Sequence, residues 1–211
     1  KKSASMSILI AKTTGTTDLG IIKRDCSGNI SRVVESHESK NTDSSKEVNS
    51  GTYCFDLNWI TSTLRNLRQS NEGEYYLTDS VQSAYKNENT LGCLITEYPE
   101  ECLGINNRIQ LAHMERILRQ RIREKWMLKG VTMLDPNSTF IDSESQIGKD
   151  SIIYPNTYIY GNSKIGTNCT VGPGSFIKNS TIGDSSVIIS SFVQGSILEE
   201  HVTVGPFSHL R

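Results

Sequence analysis

Residues 141–182, IDSESQIGKDSIIYPNTYIYGNSKIGTNCTVGPGSFIKNSTI, place an aliphatic side chain at every sixth position: Ile141, Ile147, Ile153, Ile159, Ile165, Val171 and Ile177. Four residues after each stands a small one: Ser145, Ser151, Thr157, Ser163, Cys169, Ser175 and Thr181. A helix repeats at ~3.6 residues and a plain strand at ~2, so a strict six belongs to neither; a coil of very short strands produces it. The period resets by one residue at Ile182, runs on through Ile188 and returns at Leu198, Val204 and Leu210. Three repeats close one triangular turn, with aliphatic residues stacked inward and small residues in the tight inner corners. Gly, Asn and Asp supply the bends (Gly148, Asn156, Gly161, Asn162, Gly166, Gly172). One turn cannot bury its own core, so several must stack and both ends need caps; the chain holds about four turns.

Upstream of the coil, residues 109–129 predict one long helix. Leu111, Met114, Leu118, Ile122 and Trp126 form a single apolar stripe, and Gly130 is placed to stop it. Arg116, Arg119, Arg121, Arg123, Lys125 and Lys129 outnumber Glu115 and Glu124 on this segment. No aromatic residues interleave with those charges, so the basic face is read as the solvated side of a linker helix rather than a nucleic-acid or membrane surface.

Residues 1–108 read as mixed α/β. Strand-like runs at 6–11, 20–24, 30–34, 48–55 and 91–95 alternate with helical patterns. Asp56 is placed to cap a helix whose apolar face is Leu57, Ile60, Leu64 and Leu67. A second helix is expected over 77–86, and 36–46, rich in Ser, Lys, Glu and Asn, as a surface loop. Three segments result: 1–108, 109–129 and 130–211.

Composition narrows the function classes. The chain has 211 residues, 36% hydrophobic and 21% charged, with a formal net charge of −1. That balance argues against a dedicated nucleic-acid binder. No apolar run reaches the length of a membrane span, so no membrane insertion is expected. Five scattered cysteines without a CxxC pair fit reduced thiols and a cytoplasmic setting. Beginning at Lys1-Lys2 in a strand-like run and stopping at Arg211 in mid-coil, the chain is expected to be an internal piece of a longer polypeptide.

The segments ahead of the coil carry a more specific signal. Gly20, Glu35, the run 47–53 (EVNSGTY), the run 73–79 (GEYYLTD) and the run 104–108 (GINNR) follow in order, with TVGPFSHLR at 203–211. Together these resemble the family of bifunctional N-acetylglucosamine-1-phosphate uridyltransferases and glucosamine-1-phosphate acetyltransferases, over the whole chain. The resemblance implies an α/β plus β fold: the C-terminal half of a Rossmann-like nucleotidyltransferase domain, a linker helix, and the first turns of a left-handed parallel β-helix. It implies an enzyme of UDP-N-acetylglucosamine and cell-wall biosynthesis. UTP and N-acetylglucosamine 1-phosphate are its substrates in one reaction, and acetyl-CoA and glucosamine 1-phosphate in the other. Mg²⁺ is the implied cofactor and a homotrimer along the coil axis the implied assembly.

By that resemblance Gly20 lets its backbone approach the sugar, Glu35 and Asn49 hydrogen-bond the sugar and its acetamido group, and Asn106 is a magnesium ligand. Arg211 matches an arginine that contacts substrate phosphate in the acetyltransferase site. Taken singly, each has a plainer reading: Gly20 as a bulge, Glu35 as a surface carboxylate, Asn49 with Gly51 as a turn, Asn106-Asn107 as a helix cap. Their joint order favours the site. The chain departs from the family at Leu19 and Ile21, where Tyr and Arg are usual, and at Ser36-His37-Glu38, where Glu-Lys-Asp is usual. The family's phosphate loop would lie before Lys1 and its acetyl-transfer histidine after Arg211, so no catalytic residue is assigned and the piece alone is expected to be inactive. A different sugar-nucleotide pyrophosphorylase with a hexapeptide tail, or a non-catalytic scaffold of the same architecture, are the rival readings.

Overall fold

In the computed structural model, residues 4–14, 18–35, 45–70 and 73–211 are described. The stretch 36–44, including Ser36, His37 and Glu38, lies outside them. The chain divides into two compact units, Lys1–Gln110 and Leu111–Arg211.

The first unit is a mixed sheet of β1 (Met6–Thr13), β2 (Ile21–Arg24), β3 (Ile30–Val34), β4 (Lys46–Phe55) and β5 (Leu91–Ile95), in the order β3-β2-β4-β1-β5. β1 runs antiparallel to β4 and parallel to β5, while β2 is antiparallel to both neighbours. Alternation along β1 explains its place inside the sheet, between β4 and β5. Met6, Ile8 and Ile10 are fully buried with Val81 and Ala84, whereas Leu9 and Ala11 turn to a second cluster with Val48 and Cys102. Burying both faces of a strand requires cover on both sides, which the helix Asp79–Lys86 and the short turn Pro99–Cys102 provide.

Two helices follow the strands: α1 (Leu57–Leu64) and α2 (Asp79–Lys86). Asp56 caps α1 as expected, accepting the Trp59 N–H at 2.9 Å. The apolar face does not match the expectation. Ile60 and Thr63 are the buried positions, while Leu57 and Leu64 are exposed and Leu67 lies beyond the helix. An eight-residue helix presents one narrow contact line, and packing selected Ile60 over the flanking leucines.

α3 (Arg108–Leu128) straddles the division between the units. Its stripe holds only near its end: Trp126 is buried and Ile122 partly so, but Leu111 and Leu118 are half exposed. Gly130, at φ +90°, ends the helix, and Val131 N–H returns to the Trp126 carbonyl at 3.1 Å. Not all of the basic face is solvated. Arg119 lies over the Phe140 ring at 4.4 Å, Lys125 and Lys129 flank Trp126 at 5.2 and 5.0 Å, and Arg123 is buried.

The second unit is a parallel β-coil of the left-handed β-helix type, of about four turns, with three sheets as its sides. One side stacks Phe140–Ile141, Tyr158–Tyr160, Phe176–Lys178, Phe192–Gln194 and His209–Leu210, each parallel to the next. Ile141, Ile147, Ile153, Ile159, Ile165, Val171 and Ile177 are all buried in its axis, with Ile182, Ile188 and Val204 continuing it.

Two details differ from the repeat as read. Val193 is a fully buried core residue, and the inner-corner residue after Ser175 is Ser180, while Thr181 is exposed. The cause is a tighter corner. Asn179 (φ +47°) and Ser190 (φ +45°) turn the chain in one residue fewer, so Ile159 pairs with Ile177 but Ile177 pairs with Val193. The corner at Asn179 is the one-residue reset at Ile182, and a count of six continued from Ile188 passes over the second corner, at Ser190.

The inner corners are small and polar for a reason beyond space. Ser151 Oγ accepts the Cys169 N–H at 3.0 Å, Ser180 Oγ the Ser196 N–H at 3.2 Å, Ser186 Oγ the Val202 N–H at 3.1 Å and Ser191 Oγ the Ser208 N–H at 3.2 Å. Each hydroxyl satisfies a backbone donor of the following turn, buried at Cys169 and half-buried at the other three, which alanine would leave without that partner.

Candidate functional site

Three of the residues singled out by the sequence meet on the first unit. Gly20 is buried, and its carbonyl accepts the Asn49 backbone N–H at 2.8 Å. A Cβ on Gly20 would stand 2.7 Å from Val33 Cγ1 and 3.5 Å from Glu35 Oε2. A side chain there would force Val33 or the strand to shift, and the Glu35 carboxylate lies at its side.

Asn49 is held by an irregularity in β4. Ile8 pairs with Tyr53 and Ile10 with Asn49, so Ser50, Gly51 and Thr52 together face Leu9 alone. Gly51 adopts φ +77° and donates its N–H to Asn49 Oδ1 at 2.9 Å. The plain turn reading of Asn49 is thus present in the geometry. The same bulge re-aims the strand beside Gly20, as bulges commonly do next to sites.

Glu35 is fixed by a residue the sequence reading did not single out. Thr78 stands at the N-cap position of α2, yet its hydroxyl makes no capping bond; it donates to Glu35 Oε1 at 2.9 Å. A threonine before a helix is ordinarily read as a cap, so this diversion has no signature in one sequence.

Tyr53 is the second such residue. Its ring stacks on Phe55 (5.4 Å between centroids), and Phe55 on Trp59 (6.3 Å). The hydroxyl is buried near the Asn49 side chain and the Glu35 carboxylate, and it meets hydrogen-bond geometry with neither. Burial first, then the Glu35 charge, push its pKa above the usual phenol value, with Asn49 acting in the opposite direction. Together these side chains place a carboxylate, a carboxamide and a phenol close to the Gly20 backbone. Such a set can hydrogen-bond a polyhydroxylated or amide-bearing ligand, and it offers no paired acid and base.

Asn106 occupies an exposed turn ahead of α3. The capping role expected of the Asn pair falls to Asn107. Its Oδ1 accepts the N–H groups of Ile109 and Gln110 at 3.0 Å each, while Gln110 Oε1 accepts those of Asn106 (2.6 Å) and Asn107 (3.1 Å). This is a reciprocal capping box with amide side chains. Gln110 Nε2 also donates to Asp18 Oδ2 at 2.8 Å, tying the turn to the segment that leads into Gly20. Among the described residues no group of three or more His, Cys, Asp or Glu could hold a metal ion. One exposed carboxamide is a single ligand of the six that Mg²⁺ takes, so these residues do not make a magnesium site by themselves. Arg211 belongs to the second unit and is exposed.

Residues 1–126 match the sequence profile of the nucleotidyl transferase family. The chain belongs to that family. Residues 144–179 of this nucleotidyl transferase family member, a segment within the coil, match the bacterial transferase hexapeptide profile (six repeats). It is similar to proteins named bifunctional protein GlmU. That of Geobacillus sp. (strain WCH70) is 39% identical over 211 residues, covering 99% of this chain and 46% of the relative. That of Halalkalibacterium halodurans is 37% identical over 213 residues (100% and 47%), and that of Fervidobacterium nodosum 48% identical over 182 residues (85% and 39%). The chain spans less than half the length of these relatives.

Proposed function

We propose that this chain contributes the sugar-binding part of a uridylyltransferase that makes UDP-N-acetylglucosamine from UTP and N-acetylglucosamine 1-phosphate. The observation that carries the reading is the meeting of Gly20, Glu35 and Asn49: a backbone where a Cβ would crowd Val33, a carboxylate beside it and a carboxamide held by a bulge. Such groups bind sugar hydroxyls and an acetamido group, and a sugar lacking either leaves a buried polar group unpaired. The similarity to bifunctional GlmU proteins supports this reading over other polar ligands.

The same reading extends to the rest of the parent enzyme. Its coil opens an acetyltransferase domain that uses acetyl-CoA and glucosamine 1-phosphate, with Arg211 as a phosphate contact and a homotrimer as the assembly. Asn106 supplies one oxygen to a Mg²⁺ ion whose other ligands are water, substrate phosphate and groups outside the described residues. A cytoplasmic setting follows from the substrates. No helix in the described residues is long and apolar enough to cross a membrane. Isothermal titration of the chain with N-acetylglucosamine 1-phosphate and with glucose 1-phosphate tests the sugar site. Preference for the acetamido sugar, lost in Asn49→Ala, supports it; equal or absent binding of both overturns it.

A further inference from the structure

Among the described residues, the Tyr53 hydroxyl is the buried side-chain polar atom left without a hydrogen-bond partner. A polar group taken from water without replacement destabilises the fold, and native proteins keep few of them. Its position is not slack. Tyr53 pairs with Ile8 in the sheet, its ring is stacked on Phe55, and the bulge at 50–52 sets it next to Asn49. The hydroxyl is thus held in place, close to both Asn49 and Glu35, with its hydrogen-bonding capacity unspent.

Resting on the sugar-site reading above, we infer that Tyr53 is a further sugar-binding residue, whose hydroxyl hydrogen-bonds the acetamido-bearing side of the bound hexosamine phosphate alongside Asn49. A phenol suits the role because it both donates and accepts, so it can meet either end of an amide. The ring is held by its stack, so only the groups that cover the hydroxyl in the free chain have to shift to admit the ligand. The penalty in the free protein is removed when ligand arrives, which makes Tyr53 a contributor to specificity: a sugar without the matching group leaves the hydroxyl unpaired.

Tyr53→Phe tests this, because it removes one oxygen and keeps the ring stack. Thermal unfolding and titration with N-acetylglucosamine 1-phosphate and glucose 1-phosphate are measured on the whole chain, for wild type, Tyr53→Phe and Asn49→Ala. The expected result has opposite signs in the two assays. The free variant melts at the same temperature or higher, while its affinity for the acetamido sugar falls about three- to tenfold, the range of one neutral hydrogen bond. Its affinity for glucose 1-phosphate stays within about twofold, so discrimination narrows. If the variant melts lower and binds both sugars as wild type does, the hydroxyl has a structural partner and the inference is overturned. If Asn49→Ala loses the acetamido preference while Tyr53→Phe keeps it, the sugar site stands and only the role of Tyr53 falls. If wild type prefers neither sugar, both fall.

Discussion

The Asn49 backbone N–H and the Gly20 carbonyl are joined at 2.8 Å, a contact that sets β4 beside the glycine backbone that Glu35 flanks. Gly20→Ala puts a methyl 2.7 Å from Val33 Cγ1, so either Val33 or the strand must move. Overpacking of this kind costs about 1–3 kcal/mol. Because the displaced groups border Glu35 and Asn49, sugar affinity is expected to fall by about tenfold or more. Chemical denaturation together with titration of N-acetylglucosamine 1-phosphate checks both numbers; a variant with wild-type affinity would show that the Gly20 face is not part of the site.

The coil makes a related demand at one corner. A Cβ on Gly166 would lie 2.4 Å from Asp184 Oδ1 and 2.7 Å from Asp184 N, and one on Gly148 would lie 2.5 Å from the Gly166 carbonyl. Neither glycine has a positive φ, so the requirement comes from stacked backbones and not from turn conformation. Gly148→Ala, which meets backbone alone, is expected to destabilise the chain by about 1–3 kcal/mol. Gly174→Ala meets no atom within 4 Å, but its φ of +65° makes the substitution strained for a different reason. A urea midpoint for Gly148→Ala at or above that of wild type would refute the stacking argument.

The coil was legible because its signal is redundant: seven inward residues and seven small ones obey one period, and a single miss cannot hide it. The shortened corner at Asn179 was legible too, as the one-residue reset at Ile182, whereas the one at Ser190 was not, because Val193 falls between the run ending at Ile188 and its return at Leu198. Strands β1 to β5 were legible from alternation, with β1 extending two residues further than its apolar run. Gly20, Glu35 and Asn49 were reached through resemblance, and the structure brings them together. Thr78 and Tyr53 were missed for opposite reasons. Thr78 looks like a helix cap, and Tyr53 looks like one more ring of an aromatic strand; only the direction of a hydroxyl distinguishes them.

Asn107 and Gln110 make a prediction about α3. Their side chains satisfy four backbone donors between them, of which two belong to the first turn of the helix. Asn107→Ala should cost about 1 kcal/mol, and Asn107→Ser or Asn107→Asp much less, because both keep an oxygen for the cap. Asn106→Ala leaves these bonds intact, since Asn106 contributes its backbone N–H. It is therefore expected to leave stability within about 0.5 kcal/mol. Equal losses for Asn106→Ala and Asn107→Ala in denaturant titrations would contradict this division of labour.

Cys169 gives the fold a dependence on alkaline pH. Its thiol is buried in an inner corner, Sγ lying 3.2 Å from the Gly183 carbonyl, and burial raises its pKa above the ordinary 9.0. The folded chain therefore keeps the proton to a higher pH than the unfolded chain does. Below about pH 9 both states hold it and the contribution is fully present; as pH rises through the gap, the unfolded state sheds its proton first and stability falls. One proton sets the limit, at most about 1.4 kcal/mol per pH unit. Cys102 is shifted in the same direction by burial, so the wild-type curve alone does not isolate Cys169. Cys169→Ser does, because serine already fills the neighbouring corners at Ser151 and Ser186 and does not ionise here. Urea midpoints measured from pH 8 to 10.5 are expected to fall less steeply in Cys169→Ser than in wild type, and parallel curves would show that the thiol does not titrate differently on folding.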